Sequence, residues 1–389
     1  MEFFSLTHLE CSLLIGLEAF FLIQLFYYII LYNRIHKHHV ADKNGKLKYT
    51  DTYAPLSVII SAKDQAKCLK INLPLILEQN YPQYEVIVVN DGSVDDTEEV
   101  LKLFENKYSH LYHTFTPITT RYVSRKKLSL TLGIRAAKYD WLVFTEPYCY
   151  PESKDWLKSL ARNFTTDTDI VLGYSNYAKE KSWFNRKITF DLLFHSLRFL
   201  GCALLKYTYM GLGTNLAYRK ELFYRNKGYS SHLNLLRGED DLFVNQIATH
   251  NNTRVECSKN SIIRILPPKY KKMWVENKVE HVATGCQYKG LQRLMMGFES
   301  FSRYIFLLGC LFLLLYAIYY QRWLIGIITL ILWSIRYVYQ LFVFQNTSKD
   351  LKERRYTASL LFFDLLQPLW NFRYKLIWLF RRKSDFILK

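Results

Sequence analysis

The sequence predicts an α/β domain with a mostly parallel sheet, flanked by one N-terminal and two C-terminal transmembrane helices. Three observations carry that expectation. Short β-branched runs alternate with helical stretches between residues 55 and 267, the order that builds a parallel sheet. An almost unbroken apolar run fills Leu9–Tyr32. Two more runs, Tyr304–Tyr320 and Trp323–Phe344, are separated only by Gln321 and Arg322, which predicts a tight helical hairpin.

The first run is interrupted by Glu10, Cys11, Glu18 and Gln24 but suits the roughly 20 residues needed to cross hydrocarbon. It follows Glu2 rather than a basic start, and it outlasts the apolar core of about 7–15 residues in a secretory signal. Residues 1–33 are therefore expected to be a retained anchor. Arg34, Lys37, Lys43, Lys46 and Lys48 mark a basic linker over 34–54, and such a flank stays cytoplasmic, which sends the N-terminus outward.

Within 55–267, Leu56–Ser61 and Glu85–Asn90 read as buried parallel strands, separated by a helix over Lys67–Gln79 and a break at Asn80-Tyr-Pro82. A turn at Asp91–Asp95 leads into a polar helix reaching about Lys107. Strands follow near Leu111–Phe115, Trp141–Thr145 and Asp169–Tyr174, with helices over Lys126–Lys138 and Lys154–Phe164. A ligand is expected beyond the carboxyl ends of such strands. The later half holds an amphipathic stretch from Asn185 to Lys206, a Gly-rich turn at Met210–Asn215, and an acidic cluster, Gly238-Glu-Asp-Asp241, opening a helix.

A basic, aromatic, interfacial segment is expected over 268–300, the hairpin over 301–345, and a basic juxtamembrane tail over 346–389 that includes Lys349, Arg354, Arg355, Arg382 and Lys383. Arg336 inside the second run should face protein or snorkel. Ser359–Trp370 is apolar but carries Asp364 and Pro368, so an interfacial or re-entrant piece is expected.

Lys plus Arg outnumber Asp plus Glu by 52 to 34, a balance that attracts phosphorylated ligands, anionic lipid or nucleic acid. The basic residues cluster at the apolar flanks rather than along one soluble face, which excludes nucleic acid as a partner. The aromatic fraction, 16%, favours a membrane interface. Seven cysteines without C-x-x-C spacing give neither a complete disulfide framework nor a zinc site.

Asp91 stands just past a strand, in a turn where Ser93 and Asp95 can bond freed amides. Its carboxylate can accept hydrogen bonds from a nucleobase or ribose; equally, Asp91 and Asp95 can form a turn and cap the next helix.

The runs Pro55–Ser61, Gln79-Asn-Tyr-Pro82 and Val88–Thr97 resemble the start of the family 2 inverting glycosyltransferases. The likeness continues through Arg125–Ile134, Gly213–Tyr218 and Gly238–Leu242, in the family's order. It implies a GT-A fold, a Rossmann-like domain that binds a nucleotide-diphosphate sugar. By position it places Asp64 and Asp91 in the nucleotide pocket and Lys126 or Lys127 on the diphosphate, where a solvated helix face is the alternative. It makes Asp240 the general base, with Glu239 beside it, where an acidic first helical turn is the alternative.

Two positions depart from the family. Where an Asp-x-Asp would hold a Mn or Mg ion, the chain reads Thr145-Glu-Pro-Tyr-Cys149: Glu146 can supply oxygen, but Tyr148 replaces the second carboxylate. Basic residues such as Lys126, Lys127 and Lys278 are the other source of positive charge for the diphosphate. In place of a Gln-x-x-Arg-Trp region stands Asn277-Lys-Val-Glu-His281, where Lys278 and His281 either meet phosphate or acceptor or belong to a plain interfacial helix. The resemblance thus implies a membrane-bound enzyme of the bacterial inner membrane, with its domain in the cytoplasm and a lipid-linked or membrane-proximal glycan as acceptor. The alternative is an inactive scaffold in a glycan-assembly complex.

Overall fold

The computed structural model describes residues 6–117 and 124–381. Glu2, Arg382 and Lys383 of the charge argument lie outside the described residues. In chain order the elements are α1 (His8–Phe26), α2 (Arg34–Lys43), β1 (Leu56–Ala62), α3 (Ala66–Leu77), β2 (Tyr84–Asn90), α4 (Thr97–Lys107), β3 (Leu111–Phe115), α5 (Arg125–Ala136), β4 (Trp141–Thr145), β5 (Cys149–Pro151), α6 (Trp156–Ala161), β6 (Ile170–Gly173), β7 (Ser175–Tyr177) and α7 (Trp183–Leu204). They continue with β8 (Leu216–Arg219), α8 (Lys220–Arg225), α9 (Asp241–Ile247), β9 (Thr253–Glu256), β10 (Ile263–Ile265), α10 (Lys271–Gly285), α11 (Leu291–Tyr319), α12 (Trp323–Asp350) and α13 (Ala358–Phe380). The chain divides into two compact units, Met1–Val40 with Gly290–Phe372, and Ala41–Lys289 with Arg373–Lys389.

The first unit is helical. Three helical stretches, His8–Lys43, Leu294–Tyr319 and Trp323–Asp350, are long and apolar enough to cross a membrane. Leu14, Leu17 and Phe21 of α1 pack with Phe306, Cys310 and Leu313 of α11 and Ile325 of α12. Charges inside this unit are paired, because an isolated buried charge is costly. Glu10 accepts from Arg322 at 2.5 and 2.7 Å, and Arg336 donates to Asp364 at 2.7 Å, so Arg336 faces protein. Two sequence expectations shift here. The helix α11 runs unbroken through residue 300, so the boundary expected there falls inside it. Ser359–Trp370 belongs to a continuous 23-residue helix in which Pro368 is accommodated, which departs from the re-entrant alternative and not from the interfacial one.

The second unit holds a seven-stranded sheet of order β3-β2-β1-β4-β8-β6-β9 and a three-stranded sheet of order β5-β10-β7. The β1 pairings with β2 and β4 are parallel, as are β2 with β3 and β6 with β9. The strand β8 runs antiparallel to both β4 and β6. Leu56, Val58, Ile59 and Ile60 of β1 are fully buried, as a strand covered on both faces requires. The chain winds outward from β1 to β3 and then returns to β1's other edge with β4. That reversal opens a crevice at the carboxyl ends of β1 and β4.

Candidate active site

Two loops at the strand ends clasp each other. After β1, Asp64 adopts φ +51°; its N–H donates to Ser93 Oγ at 2.9 Å, and its Oδ1 accepts from Val94 N at 2.8 Å. Asp95 does the turn-and-cap work, its two carboxylate oxygens accepting from Ala66 N at 3.0 Å and Thr97 N at 3.1 Å. Asp91 is left for another role. Its buried carboxylate accepts from Arg125 Nε at 3.1 Å, and Arg125 Nη2 donates to its carbonyl at 3.1 Å. Burial pushes the Asp91 carboxyl up, with Arg125 offsetting part of the effect. Gly92 is required here: at φ +67°, an added Cβ would lie 2.4 Å from Arg125 Nη2.

The helix α5 brings Arg125 and Lys126 to the same crevice. It lies close on the sheet because residue 133 is glycine, where a Cβ would meet Ile59 Cγ2 at 2.7 Å. Lys126 and Lys127 point to different surroundings, as neighbours about 100° apart on a helix must. The Lys127 ammonium is fully buried and donates to the carbonyls of His232, Leu235 and Arg237 at 2.5, 2.8 and 2.9 Å. An ammonium has three N–H groups, so none is left for a diphosphate. Lys127 therefore ties down the loop that leads to the acidic cluster, and of the two lysines only Lys126 faces the crevice carboxylates. Its Nζ lies 2.5 Å from Glu146 Oε1 and 3.0 Å from Glu239 Oε1. Burial works against this ammonium, but the Glu146 and Glu239 carboxylates outweigh it and hold it well above the ordinary lysine range.

Asp240 caps α9. Its Oδ1 accepts from Asp241 N at 2.8 Å and its Oδ2 from Gly213 N at 2.7 Å, the glycine lying in the Met210–Asn215 turn. Burial and the Glu239 charge push the Asp240 carboxyl up. Glu239 moves the other way: burial opposes its ionisation, but Lys126 and Arg237 outweigh burial and bring it down to about 2. Its Oε2 is buried and, among the described residues, has no hydrogen-bond partner. Asp241 is turned aside to accept from Thr284 Oγ1 at 2.6 Å and Tyr288 Oη at 2.7 Å, and burial with the Asp240 charge pushes it up to about 7. A small cavity is lined by Glu146, Gly213, Tyr229, Glu239 and Asp240.

Arg237 was not singled out from the sequence. It pairs with Glu280 and donates to Asn277 Oδ1 at 2.8 Å. A cation thus reaches the Asn277–His281 segment from a distant loop, although Glu280 fills the position where the family has arginine. The signal in the sequence was one residue, an arginine immediately before Gly238-Glu-Asp. Lys278 and His281 lie on α10, where Lys278 pairs with Asp191 of α7. Burial, helped by the Arg237 and Lys278 charges, brings His281 down to about 3, so it is neutral near pH 7.

The donor set does not fit a divalent ion. Among the described residues no group of three or more His, Cys, Asp and Glu side chains is arranged to hold one. Glu146 is engaged by the Lys126 ammonium, and burial with the Glu146 charge keeps the Tyr148 phenol protonated, well above its ordinary range. A hard cation prefers carboxylate and water oxygens to a neutral phenol.

Residues 57–226 match the sequence model of the family described as Glycosyl transferase family 2. A chondroitin synthase of Escherichia coli is 29% identical over 142 residues, 33% of this chain and 19% of that protein. A chondroitin synthase of Pasteurella multocida is 30% identical over 150 residues, 34% of this chain and 14% of that protein. The chain thus spans less than a fifth of the length of either relative. A mannosyltransferase from Pyrobaculum calidifontis, solved in complex with GDP-Man and Mn2+, is similar in structure with a TM-score of 0.57. The match covers 95% of this chain and 98% of that one at 15% identity, and it shows the fold to be GT-A.

Proposed function

The chain carries a family 2 glycosyltransferase domain, and on that premise we propose that it transfers a sugar, with inversion, from a nucleotide-diphosphate sugar to a lipid-linked or membrane-proximal glycan acceptor. The observation that carries this reading is Asp240. A carboxylate fixed by two backbone N–H groups, beside the ionised Glu239 and across from the Lys126 ammonium, suits a general base aimed at one point. The acceptor hydroxyl oxygen attacks the anomeric carbon on the face opposite the diphosphate. The bond to the diphosphate oxygen breaks with its electron pair, and the hydroxyl proton passes to Asp240. Glu239 acts through Asp240, its negative charge raising that carboxylate's affinity for the proton. Asp64 and Asp91 serve the nucleotide; Lys126 and Glu146 serve the diphosphate end; Lys278 is the candidate contact to the acceptor.

We assign the domain to residues 55–267, the anchor to 1–33, the hairpin to α11 and α12 and the basic tail to the residues after α12. The basic flanks orient the domain to the cytoplasm of a bacterial inner membrane. A membrane station suits an acceptor that is itself held in lipid. The three long apolar helices support that station, and the nucleotide sugar bound by the Pyrobaculum mannosyltransferase supports the donor class.

The test is turnover and binding of a panel of UDP- and GDP-sugars by the detergent-purified chain, with membrane lipid extract as acceptor, beside Asp240→Asn. The expected result is retained donor binding with turnover lowered about 10²–10⁴-fold in the variant. Donor binding without turnover in the native chain would favour an inactive scaffold. Absence of binding would sink the nucleotide-sugar reading.

A further inference from the structure

We propose that the Lys126 ammonium is the resident cation of this site, standing where a divalent ion would bridge protein carboxylate and donor diphosphate, so that transfer proceeds without a metal. This rests on the glycosyltransferase reading and adds to it the source of positive charge at the leaving group.

The geometry is that of a bridging cation. Lys126 Nζ joins carboxylates from two separate segments, Glu146 in the turn after β4 and Glu239 in the loop before α9, at 2.5 and 3.0 Å. Those two contacts use two of the three ammonium N–H groups and leave the third for a phosphate oxygen. The side chain keeps 29% of its surface exposed, so a ligand can reach it. Its base is fixed, since α5 is seated on β1 through the close approach at Gly133.

The surrounding side chains complement an ammonium rather than a divalent ion. Position 148, where a second carboxylate would complete a metal site, holds a tyrosine. Glu239 and Asp240 are close enough to Glu146 to line one cavity with it. With Lys126 present that negative charge is partly neutralised; with Lys126 removed, Glu146 and Glu239 would lose the ammonium between them and be free to share a divalent ion with the donor diphosphate. Lysine replacement should therefore both weaken metal-free transfer and create a site that a divalent ion can enter.

The experiment uses the full chain in detergent and has two readouts. Turnover of the preferred nucleotide sugar is measured in EDTA and in Mn2+ for the native chain, Lys126→Ala and Lys126→Arg. Binding of Mn2+ is followed by the loss of the free-ion electron paramagnetic resonance signal, without nucleotide and with UDP or GDP, each against a control of nucleotide and ion alone because these diphosphates themselves chelate Mn2+. The native chain should turn over equally in EDTA and Mn2+ and take up no Mn2+ beyond that control. Lys126→Ala should lose about 10²–10³-fold in EDTA, the cost of removing one preorganised donor to developing negative charge. It should bind Mn2+ and regain part of its turnover with it. Lys126→Arg retains the positive charge and should keep EDTA-resistant turnover, which separates loss of charge from loss of fold. Native turnover that EDTA abolishes and Mn2+ restores would overturn the proposal while leaving the glycosyltransferase reading intact. Mn2+ capture by the native chain with UDP or GDP would overturn it even if no acceptor supports turnover.

Discussion

Replacing Lys127 with methionine separates a donor ligand from a loop anchor. The native ammonium donates to three carbonyls of residues 232–237, at 2.5, 2.8 and 2.9 Å. Hydrogen bonds to a charged group contribute about 1.5–3 kcal/mol each, a gross figure near 5–9 kcal/mol. Methionine also relieves the burial of the charge and keeps most of the apolar stem, and one or two of the freed carbonyls can turn to water. The net loss is then about 2–4 kcal/mol, comparable with other broken buried polar pairs. At about 2–4 °C per kcal/mol for a domain of this size, the melting temperature should fall by about 4–16 °C. Because the loop leads directly to Glu239 and Asp240, kcat should fall while the dissociation constant for UDP or GDP stays within about threefold, below 1 kcal/mol. The assays are differential scanning fluorimetry in detergent, steady-state kinetics and nucleotide titration. An unchanged melting temperature with nucleotide binding weakened tenfold or more would refute the argument and return Lys127 to the diphosphate.

Three further outcomes are expected. Gly133→Leu drives a side chain into Ile59 and Val89 beneath α5, and overpacking of this kind costs about 1–3 kcal/mol, readable as a lower denaturation midpoint. Asp241 titrates near 7 in the fold against about 3.9 when unfolded, so its stabilising contribution is complete below about pH 4 and is lost as pH rises towards 7, by about 1.4 kcal/mol per unit. Asp241→Asn should remove that slope from unfolding curves taken between pH 4 and 7. Arg237→Met takes from Glu239 one of the two cations that hold it near 2, so the Glu239 carboxyl should titrate at higher pH in infrared difference spectra of the variant; an unmoved titration would place Arg237 outside the electrostatics of the site.

Much of the α/β framework was legible because strand formation here depends on local composition. The runs at 56–61, 85–90, 111–115 and 141–145 fall on β1 to β4 within a residue, and burial between parallel neighbours explains the β-branched character of β1 and β2. Short strands were not legible. Cys149–Pro151, Ser175–Tyr177 and Ile263–Ile265 have three residues each, too few for any periodicity, and exist through pairing with one another across as many as 116 positions, from Cys149 to Ile265. The antiparallel β8 was hidden for a related reason, since the sequence around Leu216–Arg219 carries no mark of its direction.

The sequence by itself determined where the candidate residues stand, because the motifs around Asp91, Lys126 and Asp240 occupy fixed local settings: a strand end, a helix start and a helix cap. Only the tertiary structure decided which groups each of them meets. Lys126 and Lys127 are adjacent in the chain, yet the helical twist sends one ammonium to two carboxylates and the other to three carbonyls more than a hundred residues away. Arg237, Glu146 and Glu239 likewise acquire their charge environment from partners distant in sequence. Local patterns fix dihedral angles and exposed faces, whereas the electrostatics of a buried site are set by distance in space, which folding alone supplies.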